Sequence, residues 1–390
     1  MMIRVLMLST LFPDMSRPNF GVFVERQARE LGSRPDCYVT VVAPVGIPPW
    51  PLSNAAQYQA LSRLPEKERW RDLMVYRPRF PIIPKFGGRM NVTTMMRAIL
   101  PLVRRLHGER PFDVIDASFF YPDGAVAARI AKALGIPFSV KARGADIHYW
   151  GKRADTRRAV QRAGKDAAGL LAVSAAMKRS MVALGMAEEK ITVHYTGVDL
   201  DRFRIEDRHA AKDALNLKGP VVASVGALIP RKGQDLLIRA MPSLPDATLL
   251  LIGQGPEASA LLALAQQLGV SDRVGLVGAI PHDRLPQYLN AADVMALPSA
   301  SEGLANAWVE ALACGTPVVT SDVGGARELI DRPEAGHIVD REPAAIATAI
   351  RDLIENPPER EAVRETVRRF TWVANGDMLL AHLKAIAGKS

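Results

Sequence analysis

Glu302 and Glu310 stand eight positions apart, and Arg231 and Lys232 stand side by side before Gly233. These residue types suit one kind of ligand. Carboxylates accept hydrogen bonds from sugar and ribose hydroxyls, while an Arg fork and a Lys point charge neutralise a diphosphate. If the two glutamates bracket a helix, roughly 1.5 Å per residue separates them by about 12 Å. A ligand lying along that helix puts a sugar near Glu302, phosphates at the amino end and a ribose near Glu310. On the residues alone a plainer reading stays open: a first-turn carboxylate favoured by the helix dipole, a solvated helix residue and a basic surface triplet.

The elements around these residues read as strand–loop–helix units. Val294 to Leu297 is an apolar run for a buried strand, Pro298 to Gly303 is turn chemistry, and Leu304 to Cys314 is helical until Gly315 and Pro317 stop it. Val318 to Thr320 begins the next strand. Val221 to Val225 is likewise a strand, followed by a loop from Gly226 to Gly233 and a helix from Gln234 to Met241. Both loops fall at carboxyl ends of strands, where open α/β sheets bind ligands. The helix amino end across Gly303, Leu304, Ala305 and Asn306 offers backbone N–H groups suited to phosphate. Thr248 to Ile252 ends in Gly253-Gln254-Gly255-Pro256. A dinucleotide fingerprint needs glycine where Ala258 stands, so this loop does not read as an NAD site. Val274 to Val277 is a further strand, closed by Gly278.

The first half alternates in the same way. Ile3 to Ser9 reads as a buried strand and not as a signal peptide, because Pro13 ends the apolar run early. A turn-rich loop runs to Gly21, and a helix follows from Val22 to Leu31. Gly21 lies at the helix start, where backbone can approach a phosphate or simply turn. Tyr38 to Ala43 is a strand. Residues 44–88 hold Pro48, Pro49, Pro51, Pro78, Pro81 and Pro84 and are expected to be irregular. Met95 to Leu106 is a helix, Val114 to Ala117 a strand, Ala125 to Leu134 a helix and Pro137 to Lys141 a strand. That strand runs into Ala142-Arg143-Gly144-Ala145-Asp146. Strands at Leu170 to Ser174 and Ile191 to His194 complete this half. Strand and helix alternate twice over, which predicts an α/β chain of two doubly wound domains.

At 390 residues the chain exceeds one core, and 48% hydrophobic content is ordinary for a globular protein. No apolar run approaches the roughly 18–20 residues of a membrane span. Two cysteines, Cys37 and Cys314, form no metal or redox spacing and favour a reducing cytoplasm. The net charge of +9 is uneven: residues 1–200 carry 30 Lys/Arg against 17 Asp/Glu, and residues 201–390 carry 20 against 24. The basic first half includes Lys152, Arg153, Arg157, Arg158, Arg162 and Lys165, and it points to an anionic partner. A membrane surface or a lipid-diphosphate acceptor is preferred to nucleic acid.

From Ala291 to Ile330 the phrase AADVMALPSASEGLANAWVEALACGTPVVTSDVGGARELI resembles the signature of the retaining glycosyltransferases of family 4, with its Glu–seven residues–Glu motif. The resemblance extends to Gly226–Gly233, to Gly253-Gln-Gly255-Pro256, to Thr196-Gly197-Val198-Asp199 and to Arg143-Gly-Ala-Asp146. It implies the GT-B fold: two Rossmann-like domains facing a cleft, with a C-terminal helix crossing back to the first. The expected bounds are an acceptor-binding domain at 1–198, a nucleotide-sugar-binding domain at 199–370 and the terminal helix at 371–390. The irregular 44–88 stretch would then lie on the acceptor side.

The resemblance also implies roles. Arg231 and Lys232 hold the donor diphosphate, Glu302 the sugar and Glu310 the ribose, with Gly21, Gly226, Gly278 and the backbone from Gly303 through Leu304 and Ala305 to Asn306 lining the donor site. Arg143 stands where many members carry histidine. A guanidinium stays protonated, so it serves as an anchor for phosphate or acceptor oxygen and not as an acid/base group, with Asp146 orienting the site. No metal and no other cofactor is implied. The function expected is a retaining transfer from a nucleotide-diphosphate sugar to a saccharide or lipid-linked acceptor in surface polysaccharide synthesis, by a cytoplasmic enzyme peripheral at the inner membrane face. The Asn19-Phe-Gly-Val-Phe-Val-Glu25 phrase points to capsule or teichuronic-type enzymes. Two alternatives remain on the sequence: a nucleotide-sugar epimerase of the same fold, and a non-catalytic two-domain solute-binding protein.

Overall fold

Near-continuous apolar runs such as Val221-Val-Ala-Ser-Val225 and Thr248-Leu-Leu-Leu-Ile252 have no polar face to offer water, so they form strands buried on both sides. A computed structural model, which describes residues 2–83 and 88–389, arranges them in two units. One unit takes in residues up to Gly197 together with those from Trp372 onward; the other is Val198–Thr371.

In the first unit the strands are β1 (Ile3–Leu8), β2 (Cys37–Val42), β3 (Val45–Ile47), β4 (Lys67–Trp70), β5 (Leu73–Tyr76), β6 (Arg79–Pro81), β7 (Val114–Ala117), β8 (Phe138–Ala142), β9 (Gly169–Ala172) and β10 (Ile191–Val193). Eight of them form one sheet in the order β10-β9-β8-β7-β1-β2-β5-β4, parallel except at the β4–β5 pair. The strand order reverses between β1 and β7. The helix Trp372–Ile386 packs on Val22–Gly32, and its Leu379 and Leu383 join Val24, Ala28, Leu31, Ile3 and Val5 in one core.

The second unit holds β11 (Val221–Val225), β12 (Thr248–Ile252), β13 (Val274–Gly278), β14 (Val294–Leu297), β15 (Val318–Thr320) and β16 (Gly336–Ile338). They form an all-parallel sheet in the order β13-β12-β11-β14-β15-β16. Here the order reverses between β11 and β14, whose Val222 and Val294 are paired. Among the described residues no helix is long and apolar enough to cross a membrane.

The proline-rich stretch is the largest departure from expectation. It carries β3 to β6 and a helix at Ala56–Ser62. The prolines bound these elements instead of abolishing them: Pro78 precedes β6, and Pro81 ends it at the edge of the small β3–β6 sheet, where no ladder donor is lost. Arg71, at φ 53°, makes the tight turn between β4 and β5. Pro84 lies outside the described residues. The helix expected from Met95 to Leu106 runs from Gly88 to Glu109 and includes Pro101.

Candidate active site

The loops after β11 and β14 leave neighbouring strands at the point where the sheet order reverses, so both face the same crevice at the carboxyl edge. Gly233 makes their meeting feasible. At φ +74° its Cα comes so near Pro298 that a Cβ would sit 2.4 Å from the Pro298 carbonyl oxygen. The Ala300 N–H donates to the Arg231 carbonyl at 2.7 Å, and the Arg231 guanidinium donates to the Ser301 carbonyl. On that joined frame Lys232 Nζ donates to Glu302 Oε1 at 2.5 Å, Ser299 Oγ donates to the same oxygen at 2.8 Å, and Arg231 Nη1 lies 3.5 Å from it. The Lys232 and Glu302 side chains are only 13% and 10% exposed, so water screens the pair weakly. Arg231 is more open, at 42%. The Lys232 stem passes over Gly226, with Cε 3.5 Å from where a Cβ would stand.

The loop after β15 braces Glu302 from the other side. Gly325 N–H donates to Gly303 O at 2.8 Å, and a Cβ on Gly324, at φ +53°, would lie about 2.4–2.5 Å from the Glu302 and Gly303 carbonyl oxygens. Held in this way, Gly303, Leu304 and Ala305 are not helical. The helix runs Asn306–Ala313, not Leu304 to Cys314, with Ala305 extended before it and no side chain capping its start. Glu310 is therefore a mid-helix residue little more than one turn from the helix start, and Glu302 belongs to the preceding loop.

Glu310 has its own partner. His282 Nε2 donates to Glu310 Oε1 at 2.7 Å, and the imidazole stands edge-on to Phe203, with ring centroids 5.3 Å apart. Its Nδ1 is buried with no hydrogen-bond partner among the described residues. Nothing in the motifs of the sequence points to His282. Its one signal in sequence was position, in the loop beyond β13 at the carboxyl edge of the sheet. Gly278 closes that strand at φ +79° with open space where a side chain would project. Gly253 and Gly255, by contrast, are packing glycines: a Cβ on either would strike the Gly226 or Leu228 carbonyl at about 2 Å.

Gly21, Arg143 and Asp146 lie in the first unit. Gly21, at φ +73°, abuts the Leu11 carbonyl and starts the helix that carries Phe23 and Gln27. Arg143 is half-buried and already engaged: Nε donates to Ser118 O at 2.8 Å, Nη2 to Gln27 Oε1 at 3.2 Å, and the guanidinium lies over the Phe23 ring at 4.7 Å. Asp146 is fully buried and accepts from the backbone N–H groups of Arg143, Gly144 and Phe120, which makes it the organiser of this turn. Burial raises its pKa and lowers that of Arg143 to about 10, so Arg143 stays cationic at neutral pH.

Around them is a buried polar set that the apolar patterning hid. Asp116 and Asp123 are pushed up by burial to about 6 and about 7. Lys141 Nζ donates to His194 Nδ1 at 2.9 Å, and His194 Nε2 donates to the Asn375 carbonyl at 2.9 Å, which fixes the neutral tautomer. Burial drives the pKa of both Lys141 and His194 well down.

The chain matches two family models: "Glycosyltransferase Family 4" over residues 21–202 and "Glycosyl transferases group 1" over residues 205–370. It is 32% identical over 331 residues to the GDP-mannose-dependent alpha-(1-6)-phosphatidylinositol monomannoside mannosyltransferase of Mycolicibacterium smegmatis, covering 76% of this chain and 85% of that one. It is 28% identical over 380 residues to the "Putative teichuronic acid biosynthesis glycosyltransferase TuaC" of Bacillus subtilis (strain 168), covering 94% of each. Sucrose-phosphate synthase from Thermosynechococcus elongatus superposes with a TM-score of 0.83 at 21% identity, over 99% of this chain and 100% of that one, and shares the fold. None of these is an epimerase or a solute-binding protein. With its two Rossmann-like sheets and both family models in series, the chain belongs to the family 4 glycosyltransferases of the GT-B fold and resembles the teichuronic-type enzymes.

Proposed function

We propose that the protein moves a sugar, with retention, from a nucleoside-diphosphate sugar to a saccharide or lipid-linked acceptor in surface polysaccharide synthesis. The observation that carries this reading is the Arg231–Lys232–Glu302 cluster at the reversal point of the second sheet. The two cations outnumber the one nearly buried carboxylate, which leaves a net positive charge. A diphosphate entering the crevice competes for them and releases Glu302 toward the sugar hydroxyls. Glu310, oriented by His282, takes the ribose, while Gly226, Gly278 and the backbone from Gly303 to Asn306 line the donor.

As the bond from the anomeric carbon to the phosphate oxygen breaks, negative charge grows on the leaving diphosphate. Arg231 and Lys232 stabilise it there, where preorganised charge counts most. The acceptor hydroxyl attacks from the same face and passes its proton to a phosphate oxygen, so no protein nucleophile and no metal is called on. Arg143 and Asp146 shape the acceptor-side turn, with Gly21 opening the helix beside it. The mannosyltransferase relative names a GDP-sugar donor and a lipid acceptor, and TuaC names a surface polysaccharide. Those names, with the basic first 200 residues, support work at an anionic membrane surface.

The test is a thermal-shift screen of the full chain against GDP, UDP, ADP and their sugars. A ligand at 100 times its dissociation constant adds about 2.7 kcal/mol to stability. One nucleoside diphosphate and its sugar are expected to stabilise the protein above the rest. No response to any of them, together with no sugar transfer, overturns the proposal.

A further inference from the structure

Within the first unit, the helices Ala125–Leu134 and Arg157–Asp166 border a groove of about 450 Å³. Arg129 and Lys132 line it from one helix, and Arg158 and Arg162 from the other. All four are exposed. Two carboxylates share the groove: Asp155 is held at 2.9 Å by Arg153, which does not line it, and Asp166 lies 3.5 Å from Arg162, so among the described residues Arg129, Lys132 and Arg158 are left without a carboxylate in the lining. The groove therefore keeps an excess of positive charge.

A second observation points the same way. Tyr121 also lines the groove; it is 1% exposed, and its hydroxyl oxygen is buried with no hydrogen-bond partner among the described residues. An unmatched buried hydroxyl costs roughly 1–3 kcal/mol unless something comes to meet it. Burial pushes the phenol up to about 12, so it remains an O–H donor at any physiological pH. A donor set of guanidinium and ammonium groups with one hydroxyl, and no uncompensated carboxylate, fits tetrahedral phosphate oxygens.

We propose that this groove is a phosphate-binding site separate from the donor crevice, taking the phosphate of a soluble phosphoester or of a lipid headgroup. Binding needs no covalent step: the cations neutralise the phosphate and Tyr121 donates to one of its oxygens.

The experiment measures binding of inorganic phosphate and glycerol 3-phosphate by calorimetry, and of phosphatidylglycerol vesicles by co-sedimentation, to the full chain and four variants. Tyr121→Phe keeps shape and charge, so a loss of about tenfold in affinity reports the hydroxyl and not surface charge. Lys132→Ala and Arg158→Ala are expected to lose about as much. Arg157→Ala, an exposed cation that does not line the groove, is the control and is expected to change soluble-phosphate affinity little. Binding of soluble phosphates alone assigns a metabolite, and binding of vesicles alone assigns a headgroup; both support the site. Equal losses in Arg157→Ala and Arg158→Ala, an unaffected Tyr121→Phe variant, or no binding of either probe overturns it. Nucleoside-diphosphate affinity measured on the same variants reports the donor crevice independently, so failure of one proposal does not pass for failure of the other.

Discussion

Lys232 Nζ rests 2.5 Å from Glu302 Oε1, although the two residues belong to loops that leave different strands. The pair couples the cation assigned to the diphosphate with the carboxylate assigned to the sugar, so the two roles are linked before any ligand arrives.

Removing the cation is the most direct test. Lys232→Ala is expected to cost roughly 2–4 kcal/mol of transition-state stabilisation, about 30- to 1000-fold in kcat/KM. Steady-state kinetics of a variant with an unchanged unfolding midpoint checks it. Turnover close to wild type removes Lys232 from the reaction.

The two carboxylates separate by ligand. Glu302→Gln is expected to lower turnover while leaving affinity for the free nucleoside diphosphate unchanged or raised, since Lys232 and Arg231 lose a competing anion. Glu310→Gln is expected to weaken that affinity by about tenfold or more, the value of a charged hydrogen bond. His282→Ala should weaken it in the same direction through the misplaced carboxylate. Calorimetry with the free diphosphate reads all three, and an equal loss in Glu302→Gln and Glu310→Gln contradicts the assignment.

Backbone proximity gives a sharper structural test. Gly233→Ala would press a methyl group against the Pro298 carbonyl at a positive φ. A destabilisation of at least about 2 kcal/mol is expected, with donor binding lost alongside. Gly269→Ala, also at positive φ but with open space around it, is expected to cost about 1 kcal/mol and leave donor affinity intact. Denaturant unfolding and donor titration compare the two.

Acid should loosen the helix Trp372–Ile386. His382 Nε2 lies 2.8 Å from Ser139 Oγ, and burial lowers its pKa to about 4. The folded value lies below the unfolded one of about 6.5, so the neutral form is favoured in the fold. Its contribution is complete above pH 6.5 or so and is lost as pH falls toward 4, at most about 3 kcal/mol. Asp116 and Asp123, with raised values, push the opposite way in part of this window. Urea unfolding of wild type and His382→Leu at pH 7 and 4.5 isolates the histidine. The stability difference between them should shift in favour of the variant at the lower pH.

The central strands were legible because burial on both faces leaves no choice of residue: Val221–Val225, Thr248–Ile252 and Val294–Leu297 fall where their apolar runs do. Residues 44–88 were not legible, since three- and four-residue edge strands carry too few positions to show a period. The helix starts at Asn306 and not at Leu304 because the Gly325 N–H, distant in sequence, ties down the Gly303 carbonyl and Ala305 is extended. The roles expected of Arg231, Lys232 and Glu302 came from the family resemblance and not from their loops alone, and no local pattern announced that the Lys232 ammonium would pair with Glu302. The His282–Glu310 and Lys141–His194–Asn375 contacts join residues far apart in the chain, and nothing local marks them.

Because residues 198–371 form a unit of their own, the first unit is interrupted by an inserted domain, and the chain departs and returns beside itself: Val198 donates to the Phe370 carbonyl at 2.7 Å. On the ribosome this ordering is consequential. Val24, Ala28 and Leu31 are made early, yet Leu379 and Leu383, which cover them, emerge after the whole insert. The nascent first unit must carry an unsealed apolar seam throughout that interval, while the insert is free to fold as soon as it clears the exit tunnel. A chain released at Thr371 would keep the second unit complete and expose that seam, which makes it a natural client for chaperones.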